Sequence, residues 1–189
     1  MLYLKGGATY VRWGRTECPT GAELVYSGVV GGSYYDTTGG GSNYLCLPME
    51  PLWGIYNVAI EKGSKVYGAE YEAPFTLTLD KIEGRPLQDN NVPCAVCRSL
   101  TKVSLIMIPA RNQCFAGWKP EYDGYLMSGH NVQKGRTEFV CMDKSPEADP
   151  AGFRDENGAL FYQVEGVCGS LPCPPFLPSR EFTCVICGK

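Results

Sequence analysis

The sequence predicts a mainly β fold made of two tandem copies of one disulfide-bonded subdomain, packed into a single unit. Three observations carry that expectation. Ten cysteines sit in 189 residues, an even number that favours complete pairing. Arg, Cys, Gly, Tyr and Gly occur twice at the same internal spacing, as Arg15, Cys18, Gly21, Tyr26, Gly28 and as Arg111, Cys114, Gly117, Tyr122, Gly124, 96 residues apart. Short β-branched and aromatic runs are separated by Gly and Pro clusters, and no helix-period stretch exceeds about two turns.

The runs ATYVRW, AELVYSG, AIEKGSKVYGAEY, FTLTLDKI, KVSLIMIPA, ALFYQVEG and EFTCVIC read as strands in that order. In FTLTLDKI the residues Phe75, Leu77 and Leu79 alternate with Thr76, Thr78 and Asp80, the period of a half-buried strand. VVGGSYYDTTGGGSN and SLPCPPFLPS break the runs, and the acidic DKSPEADPAGFRDENG reads as an exposed loop. The copies stay in step downstream: Cys46 matches Cys141 at an offset of 95, Gly68-Ala69 matches Gly158-Ala159 at 90, and Cys94 and Cys97 match Cys184 and Cys187 at 90. Offsets that shrink in this way are what small loop deletions produce. Cys168 and Cys173 belong to the second copy alone. The boundary falls at Arg98–Lys102, giving a first β subdomain over 1–98 and a second over 99–189. A link this short packs the halves on each other.

Composition excludes several classes. A net charge of −3 gives no basic field for nucleic acid or an anionic membrane, and no apolar run approaches the roughly 20 residues of a membrane span. The N-terminus lacks the three regions of a signal peptide, so a secreted form is expected as a mature chain or a piece of a longer one. His130 is the only imidazole, in a turn-like SGHNVQ. No G-x-S-x-G elbow, HExxH helix or phosphate-cradling loop appears, so no enzyme, cofactor or metal is expected.

The cysteines admit three uses. A zinc ribbon needs its CxxC pairs roughly 15–20 residues apart, whereas Cys97 and Cys184 are separated by 87. A redox CxxC needs an exposed thiolate, commonly at a helix N-terminus; CAVC and CVIC carry apolar residues in strand-like surroundings. Structural disulfides fit the parity, the repeated spacing and an oxidising compartment outside the cell. Spacing alone leaves open which proximal cysteine meets which distal one.

Several separated motifs resemble a known family. TECPTGAELVYSG and NQCFAGWKPEYDGY resemble the openings, and VPCAVC and FTCVIC the closings, of the two subdomains in the C-terminal non-collagenous domain of type IV collagen. GATYVRWGRTECP, GGGSNYLCLP, VYGAEYE, VPCAVCR and GSLPCPP resemble more closely the C-terminal domains of spongin-related short-chain collagens. The resemblance runs from about Ala8 to the C-terminus. It implies pairings Cys18–Cys97 and Cys46–Cys94 in the first half, and Cys114–Cys187, Cys141–Cys184 and the local Cys168–Cys173 in the second. It departs from type IV collagen in lacking a short-range pair in the first half, and no Gly-X-Y run precedes the domain in this sequence.

The resemblance implies a secreted, non-catalytic structural module of the extracellular matrix. Its expected partners are copies of itself, as a trimer or hexamer, or related collagen chains. Tyr34, Tyr35 and Tyr44, in the Gly-rich GGSYYDTTGGGSNY, are the expected contacts with a neighbour, because Gly admits close backbone approach and Tyr offers aromatic area. Arg15 and Arg111 are expected to satisfy carbonyls or a carboxylate where the halves meet. The alternative is a lectin-like protein binding matrix glycans through Tyr34, Tyr35, Asp36, Trp118, Tyr122 and Tyr125.

Overall fold

The computed structural model describes residues 6–55, 63–72 and 87–189. The described residues contain ten strands and no α-helix. The strands are β1 (Thr9–Trp13), β2 (Ala22–Gly32), β3 (Leu45–Pro48), β4 (Tyr67–Tyr71), β5 (Pro93–Ser99), β6 (Leu105–Pro109), β7 (Lys119–Ser128), β8 (Val140–Asp143), β9 (Ala159–Gln163) and β10 (Thr183–Gly188). The strand expected in FTLTLDKI lies outside the described residues.

Seven strands close into a barrel, in the order β7-β8-β1-β5-β2-β4-β9 and back to β7. Both halves contribute to the ring. β6 continues from β7 through β10, and β3 hangs on β2. Most pairings are antiparallel, but the two that join the halves, β1–β8 and β4–β9, are parallel. The main core is shared: Trp13, Val30, Tyr44, Tyr71 and Cys94 pack with Met127, Met142 and Phe161.

The repeated motif is structural. Gly21 and Gly117 both take left-handed φ, at 93° and 84°, where a side chain is strained. Tyr26 donates to the carbonyl of Cys46 at 3.0 Å, and Tyr122 to that of Cys141 at 2.9 Å. A Cβ on Gly28 would lie 1.8 Å from the Leu47 carbonyl oxygen, and one on Gly124 would lie 1.7 Å from that of Met142. Each motif therefore sets a disulfide, a turn, a tyrosine clamp and a close strand crossing in its own half. Five disulfides join Cys18–Cys97, Cys46–Cys94, Cys114–Cys187, Cys141–Cys184 and Cys168–Cys173.

Backbone pairing corrects one sequence match. Gly68-Ala69 and Gly158-Ala159 are not equivalents; Ala69 and Ala159 are cross-strand partners. The equivalent of β4 is the run 162–166, at an offset of 95. Val92 donates to Ala69 and Tyr71 to Asn90 in the first half, just as Phe182 donates to Val164 and Gly166 to Arg180 in the second. The bridge Glu70↔Asn91 likewise has its counterpart in Glu165↔Glu181. The sequence match failed because two adjacent identities, Gly-Ala, outweighed Tyr67/Tyr162 and Glu70/Glu165, two identities that are not adjacent.

Candidate functional site

The most elaborate surface of the molecule is the junction where the second half reaches onto the first. Residues 144–161 leave β8 as an arm and lie in a slot formed by Gly14–Thr16, β4 and residues 90–92. Gly14 makes the entry possible: its φ is 82°, and a Cβ there would come within 2.7 Å of the Met142 sulfur. Glu147 then donates its amide to the Gly14 carbonyl, while its carboxylate takes Arg15 Nε at 3.0 Å and Thr16 Oγ1 at 2.7 Å. Arg15 also donates to the Ser145 carbonyl, and the hydroxyl of Tyr71 to that of Glu147. Further along, Asn91 exchanges backbone bonds with Gly152 and Asp149, and Tyr35 donates to the Gly158 carbonyl. The arm ends as the strand β9, parallel to β4 in the register Ala69↔Ala159, Glu70↔Leu160, Tyr71↔Phe161. The run expected as an exposed loop is exposed at 144–145, 150–151 and 153–156, and is anchored over 146–149, where Glu147 meets Arg15 and Thr16.

Burial shapes the electrostatics of this junction. Arg12 and Asp143 form an ion pair at 2.7 Å, with the carboxylate buried. Glu70 is 3% exposed and accepts the amides of Glu156 and Asn157. Glu70, Glu72 and Asp155 bring carboxylate oxygens within 4.8 Å of one another. Burial pushes the Glu70 carboxyl up; it pushes Glu72 up to about 7, aided by Asp89, Asp155 and Glu70.

The second half has the same slot, and among the described residues nothing fills it. A cleft of about 720 Å³ opens beside Tyr162–Glu165, bordered by His130, Arg136 and Phe139. The amide nitrogen of Gln163 is buried at its edge without a hydrogen-bond partner. Ala110, the equivalent of Gly14, also takes left-handed φ, at 58°. Arg111 turns to the Gln113 carbonyl and stacks over Phe115, and among the described residues no carboxylate pairs with it as Glu147 does with Arg15. The described parts of the matching stretch of the first half, 49–55 after β3 and 63–66 before β4, hold apolar side chains in water: Leu52 is 97% exposed, Trp53 79% and Val66 55%. β3 and β6, the equivalents of the strands that pair across the occupied junction, lie at sheet edges.

The residues expected at an interface divide. Tyr34 and Tyr35 are half-buried, with ring centres 4.7 Å apart, and Tyr34 also lies against Tyr67. Tyr44 is 4% exposed, stacks on Phe161 and donates to the Leu160 carbonyl, so it belongs to the core between the halves instead of an outer surface. Among the aromatics expected for sugar stacking, Tyr122 is buried, held by the carbonyls of Val11 and Cys141. Trp118 packs beside Ile108 and Val185, and Asp36 pairs with Lys134. His130 accepts the Val132 amide and meets Tyr162 edge-on. The arms escaped sequence reading, although Pro51 and Pro146, at the offset of 95, mark them as equivalents. No protein-family model matches the chain.

Proposed function

We propose that this protein is an extracellular assembly module that joins copies of itself head to tail, residues 49–55 and 63–66 of one copy lying in the second-half slot of the next. One observation carries the reading: of two equivalent arms and two equivalent slots, one of each is mated within the chain, and the remaining pair is left open. The mated pair serves as a template for the contact between copies. Such a contact is heterologous, so it generates a closed ring or a filament. The exposed Leu52, Trp53 and Val66 supply the apolar anchors an interface core needs, and five disulfides hold the frame rigid, which lowers the ordering cost of association. The motifs shared with the C-terminal domains of short-chain and type IV collagens favour the same reading, with a trimer or hexamer of copies or of related collagen chains in the matrix.

Light scattering coupled to size exclusion tests it. The native protein is expected to elute as an oligomer. Trp53→Asp is expected to yield a folded monomer with an unchanged unfolding midpoint, since Trp53 touches no core. A native protein that stays monomeric at micromolar concentration overturns the proposal.

A further inference from the structure

We infer that Lys65 of one copy and Glu165 of the next form an ion pair that sets the register of the strand pairing between them. The inference rests on the head-to-tail reading and adds to it a specific partner contact. Within the chain, β4 receives the arm in the parallel register Ala69↔Ala159, Glu70↔Leu160, Tyr71↔Phe161. Moving each side by the structural offset of 95 gives Val164↔Ser64, Glu165↔Lys65 and Gly166↔Val66 between copies. The receiving strand is ready for this. Its inner edge makes the same backbone bonds as β4, from Phe182 to Val164 and from Gly166 to Arg180, and its outer edge borders the open cleft.

The charges at that position are unresolved within the chain. Glu165 faces Glu181 across an antiparallel bridge, and like charges directly opposite one another repel. Glu165 and Lys65 are both exposed, and among the described residues neither has an ion-pair partner. Partners opposite one another in a parallel pair project from the same face of the sheet. Lys65 would therefore come down beside two carboxylates that now repel. A slip of one residue sends the lysine to the other face, and a slip of two sets it against Gln163 or Val167. The occupied junction differs here: Leu160 stands where Lys65 would, and Glu70 takes the amides of Glu156 and Asn157 instead. The pair therefore distinguishes the contact between copies from the contact within one.

Sedimentation velocity on the full chain tests it through Lys65→Glu, Glu165→Lys and the double exchange, with circular dichroism confirming that each variant folds. Lys65→Glu places three carboxylates together and is expected to weaken self-association about tenfold or more, because like charges across an interface are costly. Glu165→Lys is expected to weaken it comparably, by setting two lysines opposite each other. The double exchange is expected to recover to within about threefold of the native constant, since it restores opposite signs across the junction. A native protein that assembles while the double variant shows the sum of the two losses overturns the ion pair and leaves the assembly reading standing. A native protein that does not assemble overturns both.

Discussion

The two arms hold equivalent places in their halves and share little beyond one proline. From Pro146 the second arm runs Glu147, Ala148, Asp149, Pro150; from Pro51 the first runs Leu52, Trp53, Gly54, Ile55. The second arm is short in side chain and rich in charge, and it finds Arg15, Thr16 and the Gly14 carbonyl already in place. Its slot lies in the same chain, so little translational freedom is lost when it docks, and modest polar contacts suffice. The first arm is apolar and bulky. A contact that must also overcome the entropy of bringing two molecules together needs large anchors. One geometry recurs in both halves; the second arm fills it with side chains suited to docking within a molecule, and under the proposed assembly the first arm carries those suited to docking between molecules.

The disulfides carry the largest expected effect, because each half has two that correspond and the second half alone has a third. Cys18–Cys97 and Cys114–Cys187 span 79 and 73 residues. Loop-closure entropy assigns each about 4.5 kcal/mol, so Cys18→Ser with Cys97→Ser and the corresponding second-half pair are expected to cost the same within about 0.5 kcal/mol. Cys168–Cys173 spans 5 residues and is expected to cost about 2 kcal/mol. Urea unfolding of the three variants checks the ranking; a second-half long-range pair that costs no more than the local one would show that the halves are not stapled alike.

Glycines give the next largest effect. Gly28→Ala and Gly124→Ala both drive a methyl group into a carbonyl of the crossing strand, and each is expected to cost roughly 3 kcal/mol. Gly21→Ala and Gly117→Ala meet no atom within 4 Å and suffer only the left-handed backbone, about 1 kcal/mol. Thermal unfolding of the four variants should sort them by position in the motif and not by half. A split by half would mean that one of the two frames yields more easily.

Much of this frame was legible in the sequence because covalent and conformational constraints leave local marks. Cysteines, a turn glycine and a crossing glycine keep their spacing whatever surrounds them. What was hidden depended on the partner. Residues 143–158 read as a loop because Pro, Asp and Gly disfavour a regular element, yet the order of 146–149, 152 and 158 comes from groups more than 50 residues away in sequence. β7 was missed for a related reason: Pro120, Asp123 and Gly124 are poor strand formers, and its pairing with β10 and β8 overrides them. Tyr44 looked like a surface tyrosine because it follows a glycine-rich loop; only the packing of Phe161 and the Leu160 carbonyl, both from the other half, puts it inside.

The smallest expected effect lies at one side chain. Glu72 stands beside Glu70, Asp89 and Asp155 in the occupied slot, while its equivalent in the open slot is Val167. Burial first, and then the neighbouring carboxylates, push Glu72 from 4.5 up to about 7. A carboxyl whose folded value lies above its unfolded value keeps its proton longer in the folded state. Between about pH 4.5 and 7 the folded chain therefore binds more protons than the unfolded one, and the contribution of Glu72 to stability falls as the pH rises through that window. Glu72→Gln is expected to remove this slope, leaving a variant that gains on the native protein as the pH rises and holds its lead above about pH 7. Urea midpoints of the two proteins across that range measure the difference directly. Parallel pH profiles would mean that water reaches the carboxylates of the mated junction freely, and that the slot is looser around Glu72 than its burial implies.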